Sequence, residues 1–180
     1  MNDNELIKLC LSNDIKAQNA LYKKYAPKMF GVCLRYAADS ELAKDYLQEG
    51  FITVFTNLHT FMGNGSFEGW LRRIFVNTSL QNIRKSDLID YKEDISNISV
   101  EPSFNDDIID NINAGDLINL ISTLPKGFKT VFNLYAIEGY SHKEISSMLG
   151  ISEEGSRSQY SRAKKSLQKL ILDEFGDKYL

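Results

Sequence analysis

Two acidic side chains and a glutamine share one face of a predicted helix. Asp45, Gln48 and Glu49 lie opposite Tyr46 and Phe51, which belong to the most regular apolar repeat of the chain. Like charges four residues apart repel by about 0.2–0.5 kcal/mol, and no lysine follows to offset this. A carboxylate pair is suited to acid–base catalysis, but no nucleophile, histidine or glycine-rich loop accompanies it. The residues alone allow two interpretations, a solvated surface and a catalytic carboxylate pair. The absence of catalytic partners disfavours the catalytic pair.

A polar and basic strip lies on the next predicted helix. Its members are Arg72, Arg73, Asn77, Gln81, Arg84 and Lys85. Phe61, Phe67 and Trp70 come just before it, around a Gly-Asn-Gly loop. Aromatic rings beside cations suit single-stranded nucleic acid, because bases stack on the rings while the cations hold the backbone. The spacing of Phe67 and Trp70 also places them on the apolar stripe, so we expect most of their area in the core. The loop itself is either a plain turn or a phosphate-binding nest.

The C-terminal part has the pattern of a helix-turn-helix. Ser141 and Glu144 form a capping box, Gly150 supplies a left-handed end, and Ser152 caps the following long helix. That second helix exposes the cations and short polar residues Arg157, Ser158, Ser161, Arg162 and Lys165. Cations neutralise phosphates and short side chains approach base edges in the major groove, so the pattern predicts DNA binding. A solvated basic face is the alternative.

Other candidates for chemistry have no partners in the sequence. His59 and His142 belong to no motif and are expected at the surface or in loops. Cys10 and Cys33 lie in apolar helical patterns without metal spacing, which indicates small core residues in a reducing cytoplasm. We therefore expect no catalytic residue, no metal and no cofactor.

Composition places the chain among ordinary globular proteins. Its 180 residues are 43% hydrophobic and 25% charged, which excludes collagen-like and wholly disordered classes. No apolar run approaches the roughly 20 residues that span a bilayer, and the N-terminus does not resemble a signal peptide. The net charge of −3 hides an acidic middle: nine acids and one lysine between Ser86 and Asp116 give −8, so the remainder carries +5.

The apolar spacing is helical nearly throughout and predicts an all-α fold of two small domains. Four stripes are predicted in the first half: Asp14 to Pro27, Met29 to Ala37, Leu42 to Leu58, and a helix capped by Ser66 that runs towards Ile83. Residues 87–115 lack a sustained period and are predicted to be an acidic linker, with a short turn of helix near Ile108 to Ile112. Such a long connector indicates two domains, residues 1–86 and residues 116–180.

Three runs in the first half resemble the promoter-melting domain of bacterial sigma factors. They are Ala20 to Pro27, Asp45 to Phe51, and Phe67-x-x-Trp70-Leu71-x-Arg73-Ile74-x-x-Asn77. The second half, from Leu124-Pro125 to Lys165, resembles the −35-binding domain of the same family. Two such domains joined by a short linker resemble the extracytoplasmic-function (ECF) group. The implied domains are sigma region 2 at 1–86 and sigma region 4 at 116–180.

The resemblance implies three binding sites. Asp45, Gln48, Glu49 and Phe55 match residues that grip the clamp helices of the polymerase β′ subunit, which makes the acidic face a docking face. For the −10 element, Phe61, Gly63, Asn64, Gly65 and Ser66 match the loop that captures a flipped base, and Arg73 and Asn77 match further contacts. For the −35 element, the matching residues are Ser152, Glu154, Gly155, Ser156, Arg157, Ser158, Gln159, Ser161, Arg162 and Lys165.

The implied function is non-enzymatic transcription initiation. The implied partners are core RNA polymerase, through its β′ clamp helices and β flap, promoter DNA, and an anti-sigma factor. The acidic linker resembles the connector that threads the RNA exit path, where a positively lined channel would attract its charge. This chain has Glu154-Gly155-Ser156-Arg157 where many relatives read Gly-Thr-Val-Lys. A free-standing helix-turn-helix regulator and, more distantly, a small helical enzyme are the competing hypotheses.

Overall fold

The computed structural model describes residues 2–86 and 114–179, which form two compact units, one in each range. Every regular element in these two ranges is helical, so the predicted all-α fold is confirmed. The predicted linker, with the turn expected near Ile108 to Ile112, lies outside the described residues except at its end, where a helix already begins at Ala114. In the same ranges, no helix is both long and apolar enough to cross a membrane.

The first unit is a bundle in which three long helices pack against one another. It contains α1 (Asp3–Leu11), α2 (Ile15–Tyr36), α3 (Ser40–Asn57), a 3-10 turn (Leu58–Thr60) and α4 (Phe67–Ser86). Helices α2, α3 and α4 contact each other pairwise, and α1 packs on α2 and on the 3-10 turn. The 3-10 turn therefore places the segment that connects α3 to α4 next to α1.

Short polar side chains begin the helices of the first unit. The carboxylate of Asp14 accepts hydrogen bonds from the backbone N–H groups of Lys16 and Ala17, at 2.8 and 3.0 Å. The predicted cap of α4 is confirmed, because the N–H of Gly69 donates to Ser66 Oγ at 3.0 Å. Each such cap stabilises a helix by about 1 kcal/mol, since it satisfies an amide that has no partner within the helix.

Helix α2 continues through Pro27, where the sequence predicted a break between two stripes. Proline has no backbone N–H and cannot donate a hydrogen bond to the preceding turn, which usually ends or kinks a helix. Here Pro27 is exposed, so the carbonyl that it leaves unpaired can bond to water. Leu21 and Tyr25 before it and Met29 after it are all buried on one face, and this packing holds the helix together.

Helices α3 and α4 approach closely at a glycine. A Cβ added to Gly50 would lie 2.2 Å from a ring carbon of Phe75, whose side chain is completely buried. Only a residue without a side chain allows this contact. The close approach brings the exposed edges of α3 and α4 within hydrogen-bonding distance of each other.

The second unit is built around one long helix. It contains α5 (Ala114–Thr123), α6 (Lys126–Phe132), a π-helical segment (Asn133–Ile137), α7 (His142–Leu149) and α8 (Glu153–Tyr179). Helices α5, α6 and α7 all contact α8. The buried core consists of Leu120, Ile121, Leu124, Phe128, Phe132, Ala163, Leu167 and Ile171.

The predicted helix-turn-helix signals are confirmed. The Ser141 hydroxyl accepts from the N–H of Glu144, and the Glu144 carboxylate accepts from the N–H of Ser141 at 2.8 Å. Gly150 ends α7 with φ +69°, and Ser152 Oγ accepts from the N–H of Gly155 at 2.9 Å. The π-helical segment was not predicted, because its extra residue per turn changes the apolar period only over five residues.

Candidate functional site

The acidic residues of α3 lie together on its exposed face. Asp45, Gln48 and Glu49 are exposed, while the intervening Tyr46 and Leu47 are buried. The side-chain amide of Asn82, on α4, donates a hydrogen bond to Glu49 Oε2 at 2.6 Å. This contact joins residues 33 positions apart, so no local sequence signal indicates it.

An apolar groove borders this acidic face. It has a volume of 510 Å³ and is lined by Tyr22, Lys44, Leu47, Gln48, Phe51, Ile52 and Phe55. Phe55 is half-buried, with its ring stacked 6.1 Å from that of Phe51, and Ile52 is 60% exposed. Apolar and aromatic surface rimmed by charge is typical of protein interfaces. The arrangement fits a partner that offers both basic and apolar side chains.

The connection between the 3-10 turn and α4 is an open loop with an aromatic base. Gly63 and Gly65 have φ of +75° and +90°, a backbone conformation that other residues rarely adopt. Asn64 is exposed, and Met62, for which no role was predicted, is 82% exposed in the same loop. The loop therefore projects its middle residues into solvent.

Four aromatic rings support the loop from beneath. Phe67 stacks on Trp70 at 5.6 Å and meets Phe61 edge-on at 5.2 Å, and Tyr25 of α2 meets Phe67 at 5.5 Å. Phe67 is buried, as its spacing predicted, whereas Phe61 and Trp70 are half-buried. A cavity of 470 Å³ opens beside this cluster. This cavity is large enough to hold a nucleobase, and Phe61 is the partly exposed ring in its lining.

The basic strip of α4 is exposed along most of its length. Arg73, Asn77, Gln81, Arg84 and Lys85 are exposed, and Arg72 is half-buried. Arg73 and Asn77 lie one turn apart on the same face, on the helix that begins directly after the loop. The loop and the strip together make one continuous candidate surface for melted DNA.

The predicted DNA-reading residues of α8 fall into two groups. Glu154, Arg157, Ser158 and Ser161 are exposed, and Gly155, Gln159, Arg162 and Lys165 are half-buried. Arg157 forms an ion pair with Glu153, one turn earlier. Ser152 is exposed, but its hydroxyl is engaged in capping the helix.

Ser156 does not have the exposed position that its assignment to the −35 contacts requires. Its side chain is completely buried, and its hydroxyl lies 2.9 Å from His142 Nδ1. Ser156 precedes the exposed Arg157 by one residue and therefore points to a different side of α8. On that side α7 packs against α8 and covers it. Ser156 therefore joins the two helices of the helix-turn-helix unit.

His142 is likewise not the unpartnered surface residue that was expected. Besides Ser156, it contacts Tyr135, whose ring stacks on the imidazole at 4.3 Å with an angle of 11°. Burial lowers the pKa of His142, the positive charge of Arg157 lowers it further, and Glu153 opposes this shift. The contact with Ser156 spans 14 residues, so the sequence offered no local signal for it. No cluster of potential metal ligands occurs in the two described ranges.

Two family models match the chain in order along its length. One is Sigma-70 region 2, which matches residues 21–88, and the other is Sigma-70, region 4, which matches residues 114–167. Together they cover the loop, the acidic face and the helix-turn-helix unit.

Curated relatives extend the similarity to nearly the whole chain. The RNA polymerase sigma-H factor of Pseudomonas aeruginosa is 26% identical over 180 residues, covering 94% of this chain and 93% of the relative. The ECF RNA polymerase sigma-E factor of Haemophilus influenzae is 27% identical, covering 95% and 96%. The ECF factor SigE of Mycolicibacterium smegmatis is 30% identical and covers 82% of this chain but 59% of the relative.

Solved structures share the fold. CnrH, in complex with the cytosolic domain of CnrY, matches 96% of this chain with a TM-score of 0.51 and 20% identity. The sigma factor RpoE of Bartonella quintana, in complex with the anti-sigma factor NepR, matches 89% with a TM-score of 0.53 and 16% identity.

The helical fold, the two matched regions and their order define a bacterial transcription initiation factor. The chain belongs to the sigma-70 family of RNA polymerase sigma factors, and within it to the extracytoplasmic-function group. It is a sigma factor that directs transcription initiation at promoters. The family consists of initiation factors that are not enzymes.

Proposed function

We propose that this sigma factor docks on core RNA polymerase through α3 and reads promoter DNA through α4 and α8. The docking face consists of Asp45, Gln48, Glu49 and Phe55, and its partner is the pair of clamp helices of the β′ subunit. The acidic surface beside an apolar groove supports this assignment, because charge guides the encounter while buried apolar area supplies affinity.

The −10 element binds the loop and α4. Asn64, between two glycines, presents an amide that can pair with a base edge, and Phe61 supplies a ring beside the cavity. Arg73 and Asn77 contact the same strand one turn further along α4. Unstacking one base costs a few kcal/mol, which a loop already held open can offset.

The −35 element binds the exposed side of α8. Arg157 and Arg162 contact phosphates, and Ser158 and Ser161 approach base edges. Ser156 positions α8 against α7 through His142. On this proposal residues 1–86 are sigma region 2, residues 87–115 the linker, and residues 116–180 sigma region 4, which also contacts the β flap.

An anti-sigma factor is part of the proposal. The structural neighbours CnrH and RpoE were solved as complexes, the latter with a protein named an anti-sigma factor. The apolar groove on α3 would be covered in such a complex, which would prevent docking on polymerase. The protein acts by binding, without a catalytic step, in the cytoplasm where polymerase is found.

The observation that carries the proposal is that one unit holds two different binding surfaces. Its α3 presents acids and apolar side chains, whereas its loop and α4 present aromatic rings and cations. A free-standing helix-turn-helix regulator needs only the DNA-reading helix. A factor that bridges polymerase and melted DNA needs both surfaces.

The test is reconstitution with core RNA polymerase of the source bacterium. Core enzyme with and without the protein transcribes fragmented genomic DNA, and transcript 5′ ends are sequenced. We expect comigration with core in gel filtration and a new set of 5′ ends, preceded by two shared sequence elements. DNA binding without core association and without new 5′ ends would instead identify a free-standing regulator.

A further inference from the structure

One wall of the cavity beside the loop between the 3-10 turn and α4 comes from a distant part of the chain. Asn2, Asp3 and Asn4, at the start of α1, line it together with Gly63, Gly65 and Ser66 of the loop. Helix α1 packs on the 3-10 turn that leads into the loop, which places its N-terminal turn opposite the loop glycines.

Asp3 is held at this wall by two residues of α2. Its Oδ1 accepts from Lys24 Nζ at 2.7 Å, and the hydroxyl of Tyr25 also donates to its carboxylate. Lys24 lowers the pKa of Asp3, so the side chain stays ionised at neutral pH. Asn2 makes a capping box with Glu5, which fixes the start of α1 independently of Asp3.

The base of the cavity is aromatic. Tyr25, whose hydroxyl binds Asp3, meets Phe67 edge-on at 5.5 Å, and Phe61 lines the same cavity. Tyr25 and Phe67 are buried, so the half-buried Phe61 offers the ring against which a flat base can lie with its polar edge turned towards the wall. The polar edge would then face the side chains of α1.

The charged groups at this cavity are hydrogen-bond acceptors. Asp3 and Glu68 both line it, and each is paired with a lysine, Glu68 with Lys28 at 2.5 Å. The lysines offset the repulsion between these carboxylates and DNA phosphates. The lone pairs of these carboxylates that the lysines do not use can accept further hydrogen bonds. They therefore favour a base that presents an exocyclic amino group, because carboxylates accept hydrogen bonds from groups such as cytosine N4.

We propose that the first turn of α1 forms the outer wall of the pocket for the unpaired −10 base, and that Asp3 selects a base bearing an exocyclic amino group. This inference rests on the proposed function of the loop. It makes Asp3 a specificity-determining residue alongside Asn64, with cytosine, adenine or guanine preferred over thymine, which has no exocyclic amino group.

The experiment uses holoenzyme and fork-junction DNA whose −10 strand is single-stranded, taken from a promoter found by reconstitution. Each unpaired position carries each of the four bases in turn, and dissociation constants are measured for wild type, Asp3→Asn and Asp3→Ala. At one position we expect wild type to prefer at least one of the amino-bearing bases, cytosine, adenine or guanine, over thymine by about fivefold or more. Asp3→Asn, which replaces an acceptor by an amide that also donates, should remove most of that ratio.

Two controls separate selection from structural damage. Glu41→Gln removes a carboxylate that is also paired with a lysine, Lys44, at 2.6 Å on α3, and should leave every ratio unchanged. Lys24→Met removes the ion pair but keeps the carboxylate, so the preference should persist even if thermal stability falls. A uniform loss of affinity for all four bases in Asp3→Asn would show a purely structural role and overturn the proposal.

The outcomes also distinguish this inference from the proposed function. If wild-type holoenzyme binds the fork junction and selects bases, and Asp3→Asn selects them equally, only the role of α1 is wrong. If wild type forms no holoenzyme, or shows no preference at any unpaired position, both are wrong.

Discussion

The side-chain amide of Asn82 donates to the carboxylate of Glu49 at 2.6 Å, and this bond joins α4 to the acidic face of α3. Asn82 also donates to the carbonyl of Thr78 at 3.1 Å, so its position along α4 is fixed. One oxygen of Glu49 is therefore held while the side chain remains exposed. The acidic face that we propose as the docking surface is therefore ordered by α4, the helix that we propose to contact the −10 element.

Replacing Asn82 with alanine should weaken binding to core polymerase about twofold to fivefold, because Glu49 loses the partner that orders it and exposed polar contacts contribute about 0.5–1 kcal/mol. The measurement is titration of labelled sigma factor with core enzyme. Asn57→Ala is the matched control, since Asn57 makes the same kind of bond to a carbonyl one turn earlier, that of Thr53, without touching the acidic face. In a double-mutant cycle, Asn82→Ala should add nothing once Glu49 is alanine, which removes the acceptor; full additivity would contradict the positioning role.

Reversing charge at Asp45 and Glu49 together to lysine should reduce core binding below detection while leaving the helical fold intact. Both side chains are exposed, so their replacement leaves the packed core in place, yet two repulsive charges would meet the partner. Circular dichroism checks the fold and gel filtration checks assembly. Asp173→Lys with Glu174→Lys makes the same change in net charge at exposed positions of α8 and should still assemble. If both double variants form holoenzyme with core polymerase at the same concentration as wild type, the docking face must lie elsewhere.

Arg157→Ala and Arg162→Ala should each weaken promoter binding, because on the proposed function each removes a cation that neutralises a DNA phosphate. The slope of log affinity against log salt should fall by about one unit for every phosphate that the variant no longer binds. A residue that reads a base would instead relax preference at one position of the −35 element. The measurement is holoenzyme affinity over a series of salt concentrations. Unchanged slopes in both variants would move the phosphate-binding residues away from this face of α8.

The pKa of His142 should lie below the usual value of histidine, and the two neighbouring charges should shift this pKa in opposite directions. Burial and Arg157 lower its pKa while Glu153 raises it, so the ring stays neutral until the pH falls further than for a free histidine. Arg157→Ala should raise the pKa and Glu153→Gln should lower it. Both shifts are read from the ring proton resonances in an NMR titration. Equal titration in wild type and both variants would contradict the packing of His142 at the start of α8.

Local signals allowed much of the fold to be predicted. Caps such as Ser66 and Ser141, and the left-handed end at Gly150, depend on residues within one turn, so the sequence specifies them directly. The break predicted at Pro27 was wrong because burial on both sides of the proline outweighs its missing hydrogen bond.

The parts of the candidate site that depend on contacts across the fold could not be predicted. Asn82 meets Glu49 only because Gly50 allows α3 and α4 to approach. Ser156 was assigned to the −35 contacts through the family resemblance, and it is buried because α7 and His142 cover it. The wall of the loop cavity comes from α1, more than 50 positions away in the chain.

Substitutions at Gly63 and Gly65 test whether the loop opens promoter DNA. A Cβ added at either position would meet no atom within 4 Å, so a side chain there would strain the backbone without clashing with neighbours. With φ of +75° and +90°, valine should cost about 1–2 kcal/mol or more at each site and change the path of the loop. Asparagine tolerates a left-handed backbone, so Gly63→Asn is the milder partner variant.

The double variant Gly63→Val with Gly65→Val should bind core polymerase normally. On a linear promoter it should leave the −10 thymines unreactive to permanganate, because the DNA stays closed. A template already mismatched at the −10 element should partly restore opening. Asn64→Ala should open DNA but change the preferred −10 base, because the amide that pairs with a base edge is gone. Gly63→Asn should fall between wild type and the valine variant. If all these variants open duplex DNA as wild type does, with the same base preference, the loop only connects α4 to the preceding turn.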